Sequence, residues 1–136
     1  MSTFRTVFVC ALLFASAAGA QTRTESYMLQ ERCGKRADEI FRTDYGTHSK
    51  RTEHGELRFN YESHYNERLN KCFFLEDATS YSVVDGKSNS IEIVRLFDAN
   101  GNKEYANFSF GACIVNGKTC GSYEEFQELI KQYMEN

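Results

Sequence analysis

Three histidines are the residues of this chain best suited to acid–base or metal chemistry. They are His48, His54 and His64, with Asp44, Glu53 and Glu62 near them in sequence. An imidazole titrates near neutral pH and ligates zinc, and a nearby carboxylate orients it or holds its proton. The spacing of these histidines matches no compact ligand motif such as H-E-x-x-H, which sets two imidazoles on one helix face. Nucleophilic chemistry finds less support. G-x-S-x-G is absent, and a Cys–His pair needs a free thiol, which cysteines engaged in disulfides do not offer. Gly117-Lys118-Thr119 looks like the end of a phosphate-binding loop, but Ala112 occupies the place of its first glycine. Asp98-x-Asn100-x-Asn102 opens like an EF-hand. Lys103 then stands where that loop needs glycine and Ser109 where it needs glutamate, so Asn100-Gly101 is expected to be a hairpin turn.

The element that must position the third histidine is a strand. Leu57, Phe59, Tyr61 and Tyr65 alternate with Arg58, Asn60, Glu62 and His64, the period of a strand with one buried and one wet face. Arg58, Glu62 and His64 therefore share the wet face and form the candidate surface site. The plainer expectation for them is solvation, with His64 ordering the corner between Asn66 and Asn70. That corner has no glycine, so its asparagines must close it with side-chain to backbone bonds. Beyond it, residues 72–75 are apolar on both faces, as in a strand covered on both sides.

An export signal heads the chain. Arg5 precedes a short apolar run over 7–14, and Ala18-Gly19-Ala20 supplies a small-x-small cleavage pattern, so residues 1–20 are expected to be removed. Cys10 goes with them. Cys33, Cys72, Cys113 and Cys120 remain, an even number in a short exported chain, which reads as two disulfides in a single domain over 21–136. Around Asn116-Gly117 as a two-residue turn, Val115 opposes Lys118 and Cys113 opposes Cys120, with Cα atoms ~5.5 Å apart, inside the range for a disulfide. Cys33 is then left for Cys72, while the other two connectivities of four cysteines stay open. The expected site is periplasmic or secreted, with no transmembrane segment in the mature chain. The C-terminal half is acidic and no basic stripe is present, which argues against nucleic acid.

The remaining elements follow from periodicity and capping. Thr22-x-x-Glu25 is a capping box, and Leu29, Cys33, Ala37, Ile40 and Phe41 recur at helical spacing, predicting a helix over about 24–42. Gly34 within it suggests close approach to a strand. Residues 43–56 read as a polar surface loop. Strands are expected over about 56–65, 71–84, 91–97 and 104–110, the last with Ala106, Phe108 and Phe110 on one face. Ser122-x-x-Glu125 opens a final helix with Phe126, Leu129, Ile130 and Tyr133 in one stripe. The fold class is α+β: an N-terminal helix, a four-stranded antiparallel β-meander, a disulfide-linked hairpin and a C-terminal helix, with both helices on one sheet face.

The run from His64-Tyr65-Asn66 through Leu69-Asn70-Lys71-Cys72, the stretch from Leu96-Phe97-Asp98 to Tyr105, the cysteine pair and the segment from Glu124 to Glu135 together resemble a group of small exported bacterial proteins of uncharacterised function. The resemblance implies export and a four-cysteine plan and assigns no site. The resulting expectation is a non-enzymatic binding or inhibitor module without a cofactor, acting on a protein or small ligand of the cell envelope. The alternative is a small periplasmic hydrolase or metal-binding enzyme using the surface histidines and glutamates.

Overall fold

The computed structural model describes residues 22–136. The expected export signal, with its cleavage pattern and Cys10, lies outside the described residues. The order is α1 (Arg23–Asp44), β1 (Ser49–Thr52), β2 (Gly55–Asn66), β3 (Lys71–Val84), β4 (Lys87–Asp98), β5 (Glu104–Ser109), β6 (Ala112–Val115), β7 (Lys118–Thr119) and α2 (Tyr123–Met134). The seven strands form one antiparallel sheet in sequence order, so the fold class is α+β, with seven strands where four in a meander were expected. Two of the extra strands, β6 and β7, are the disulfide hairpin, which continues the sheet. The third, β1, falls inside the stretch read as a loop. Ser49, Lys50, Arg51 and Thr52 are all exposed, so no apolar alternation marks them; backbone pairing with Gly55 to Arg58 alone makes them a strand. β4 also starts earlier than expected, because Lys87 to Ser90 pair with Tyr81 to Val84.

The helices lie on opposite faces of the sheet, contrary to the expectation of one shared face. Cys72 and Phe74 pack against Cys33, Ala37 and Phe41 of α1, whereas Phe73 packs with Phe126, Ile130 and Tyr133 of α2. Successive residues of a strand point to opposite faces. The unbroken apolar run of β3 therefore already required a cover on each side. Burial of Phe73 and Phe74, at 0% and 1% exposure, marks β3 as the centre of both cores.

Both disulfides are present. Cys33–Cys72 has its Cα atoms 5.3 Å apart and ties the middle of α1 to the start of β3. Cys113–Cys120, with Cα atoms 5.0 Å apart, closes the β6–β7 hairpin. Val115 opposes Lys118 and Ile114 opposes Thr119, the register set by the Asn116-Gly117 turn.

Capping explains the helix boundaries. Thr22 and Glu25 form the full reciprocal box of α1. In α2 only half of that arrangement is made: Ser122 Oγ accepts from Glu125 N–H at 3.1 Å, while the Glu125 carboxylate accepts from Gly121 N–H. Gly34 has ordinary room, since a Cβ there would meet only Ser63 Oγ at 3.9 Å, so close approach does not require glycine at that position.

Three tight turns share one geometry. Asp85-Gly86, Phe110-Gly111 and Asn116-Gly117 all have positive φ at both residues, the two-residue hairpin turn whose twist matches paired strands. The β4–β5 connection differs from the expected Asn100-Gly101 turn. Asp98 Oδ1 accepts from Asn100 and Gly101 N–H, and the positive φ falls on Asn102. Phe110 is not a strand residue facing inward with Ala106 and Phe108. It is 76% exposed at the tip of the β5–β6 hairpin, with φ of 50°. A bulky residue is disfavoured there, and asparagine is favoured. Phe110→Asn is expected to raise stability by about 0.5–1 kcal/mol, read as a higher urea midpoint at unchanged m-value.

Candidate functional site

The candidate histidines do not converge. His48 is held on the α1 side, where its Nδ1 sits 2.9 Å from Phe59 O and its ring lies 4.5 Å from that of Phe41. His54 is exposed in the turn after β1. His64 lies on the opposite face, which α2 covers; its Nε2 is 3.3 Å from Asn136 Oδ1 beyond the helix end. Among the described residues, no three His, Cys, Asp or Glu side chains group to hold a metal ion. Arg58, Glu62 and His64 do share one sheet face, opposite Thr79, Leu75 and Phe73. They act separately, however. Arg58 pairs with Glu56 at 3.2 Å and stacks on the Tyr81 ring. His64→Ala is therefore expected to remove one exposed hydrogen bond and cost less than about 1 kcal/mol. A melting curve checks this; a larger loss would show that the ring supports the α2 terminus.

Asn66 orders the corner next to His64. Fully buried, it donates from Nδ2 to the carbonyls of Gln132, Tyr133 and Glu135 and accepts Leu69 N–H at Oδ1. Helix C-termini leave carbonyls without intrahelical partners, and here one side chain from a distant strand satisfies them. Asn70 closes the same corner at φ of 49° and accepts the Tyr65 hydroxyl at 2.6 Å.

Two buried ionic groups brace the sheet: Glu76 on the α1 face, and Asp98, which opposes Phe73, on the face that α2 covers. Glu76 binds the Arg95 guanidinium and accepts the Tyr45 hydroxyl at 2.5 Å. Burial, followed by the Glu76 carboxylate, pushes Tyr45 up to about 12. Burial opposes ionisation of Asp98, but the Lys71 ammonium and the Asn100 and Gly101 N–H groups outweigh it and hold that carboxyl below its ordinary range. Every partner here is matched, which marks these groups as braces for α1 and the β4–β5 connection.

Unmatched charge is found further along the α2 face. A cleft of about 330 Å³ opens between α2 and strands β2 to β4. Leu75, Val94, Phe126 and Ile130 make its apolar wall, and Glu62, Asp77 and Glu135 its acidic edge. Glu92 stands beside Asp77 across the β3–β4 pair, because Asp77 opposes Val94 and Thr79 opposes Glu92. Burial and the Asp77 carboxylate raise the Glu92 pKa. The Tyr123 hydroxyl of α2, which lines the cleft with Asp77 and Glu62, is raised by burial and then by Glu92 and Asp77, against a lowering hydrogen bond with Gln127, with Glu62 adding least. Among the described residues neither Glu62, Asp77 nor Glu92 has an ion-pair partner; Lys131 at the cleft's edge is engaged by Glu128. Of these carboxylates the sequence points only to Glu62. Asp77 and Glu92 lie a strand apart and become neighbours through pairing alone, so their only sequence signal is a carboxylate on the inward phase of a half-apolar strand.

Comparison with protein-family models, with curated proteins and with solved structures finds no match to this chain.

Proposed function

We propose that the protein is an exported binding module that works without catalysis, and that its ligand enters the cleft between α2 and the sheet. The single observation carrying this reading is the group of Glu62, Asp77 and Glu92, none of them in an ion pair among the described residues, beside an apolar wall whose lining cation, Lys131, is held by Glu128. Like charges gathered at a partly buried place oppose folding, and such arrangements concentrate at functional sites. A ligand with an apolar body and a cationic head, such as an arginine or lysine side chain of a partner, would cover the wall and neutralise the edge. The short leader-like run and the paired cysteines support export, since disulfides persist in oxidising compartments. Among the described residues no helix is long and apolar enough to cross a membrane.

The gathered carboxylates give folding a pH signature. A carboxyl raised in the folded state favours folding at low pH and opposes it as pH rises through its elevated folded value. Glu92→Gln is therefore expected to raise the melting temperature at pH 7, with the gain vanishing in acid as the native carboxyl takes its proton. An equal gain at both pH values would mean that packing, not charge, is responsible. Calorimetry tests binding directly. The amidated dipeptide Phe-Arg is expected to bind, its Phe-Gln counterpart to bind at least about tenfold more weakly, and the Asp77→Asn, Glu92→Gln double variant to lose affinity by a similar factor. Equal affinity of both dipeptides would refute the cationic head.

A further inference from the structure

We propose a second site of opposite chemistry: the pocket above the Cys33–Cys72 disulfide binds a small oxyanion, a carboxylate or phosphate group carried on a compact body. It lies on the α1 side of the sheet and does not rest on the reading of the α2 cleft. The pocket has a volume of about 290 Å³ and contains no aspartate or glutamate in its lining. Leu29 and the disulfide supply its apolar part.

Its polar groups are dominated by donors. Arg32 and Arg36 sit one turn apart on α1, so their side chains share a face. Arg36 is already aimed and fixed, because its Nε–H donates to Ala99 O at 3.2 Å across the pocket edge. Lys35, Arg36 and Arg42 each have an acidic partner within the helix. Arg32, which also lines the pocket, has no hydrogen bond or ion pair among the described residues. Two asparagines line the same pocket. Asn70 uses Oδ1 to accept from Tyr65, which orients its Nδ2 as a remaining donor. The Asn100 side chain makes no hydrogen bond among the described residues, its backbone N–H alone being engaged by Asp98. Two guanidinium groups and two amide donors around one small volume fit an oxyanion, which accepts at every oxygen and pairs with arginine in a fork. The disulfide holds α1 against β3 and so keeps the arginines over the asparagines without the ligand, a preorganised arrangement.

The test is a titration of the disulfide-intact chain with inorganic phosphate, and separately with acetate, at constant ionic strength balanced by chloride. Side-chain resonances of Arg32, Arg36, Asn70 and Asn100 report the binding. The expected result is saturable shifts at these groups with at least one of the two anions. Phosphate alone or acetate alone would name the preferred head. Arg32→Gln, an exposed change that leaves the fold intact, is expected to weaken binding by about tenfold or more, the effect of losing one charge-assisted contact. Arg51→Gln, at an exposed cation on β1, is expected to leave it unchanged. Linear shifts that never saturate with either anion would overturn the proposal. So would an Arg32→Gln protein that binds as tightly as the native one, or a loss as large in Arg51→Gln.

Discussion

Replacing Cys33 and Cys72 together by alanine is expected to remove about 4 kcal/mol of stability. The sequence separation closed by this bridge is 39 residues, and for a loop of that size the chain-entropy model gives a value near this. Strain in the native bridge would lower the figure and lost packing would raise it, since both cysteines are buried in the α1 core. A domain of this size holds roughly 5–15 kcal/mol in all, so the variant would lose a large share and melt roughly 15 °C lower. Its α1 helix is the part expected to loosen first, because only one of its faces is covered. Removing Cys113–Cys120, whose separation is 7, is expected to matter less by the same model. Chemical denaturation of the two double variants checks the order. Equal losses would show that α1 is held by its apolar stripe and its bond from Arg36 to Ala99 rather than by the covalent tie.

Asn66→Ala is expected to cost about 3 kcal/mol, close to the disulfide although no covalent bond is broken. A net hydrogen bond contributes ~1 kcal/mol, and leaving buried partners unsatisfied adds a desolvation penalty. Here the partners are the last carbonyls of α2 and the N–H of Leu69, all served by one side chain. Asn66→Asp is the sharper test. Its oxygen still accepts from Leu69, but a carboxylate presented to three carbonyls repels them, so α2 should fray from its end. Amide exchange would then quicken at 130–134 and stay slow in β3. A variant that melts within about 1 kcal/mol of the native chain would show that water replaces the amide at the corner.

Much of this architecture is readable from residues. The stripe of Phe126, Ile130 and Tyr133 and the cap at Ser122 define α2, and the hairpin turn at Asn116-Gly117 sets the register that brings Cys113 to Cys120. These signals are local, and tertiary packing agrees with them. What escapes the sequence depends on pairing between distant segments. β1 has no buried face and exists through backbone bonds to β2. Phe110 occupies a turn that usually takes asparagine, so its type argues for a strand while its position demands a positive φ. Asn66 looks like a turn residue, and nothing near it in sequence shows that it caps a helix 66 to 69 residues later. The same holds for the candidate site. Glu62 and His64 share one strand face, but α2 covers it, Arg58 is occupied by Glu56, and the carboxylates that join Glu62 come from neighbouring strands, Asp77 of β3 in the cleft lining and Glu92 of β4 beside it.

Mapping the amidated Phe-Arg dipeptide on the full chain by backbone amide shifts tests the central claim most directly. Binding in the cleft predicts saturable changes concentrated at Glu62, Asp77, Val94, Tyr123 and Phe126, with little change along α1, and their loss in the Asp77→Asn, Glu92→Gln variant. Saturable shifts centred elsewhere, or none in the cleft at concentrations that saturate the calorimetric signal, would contradict the assignment of this cleft as the binding site.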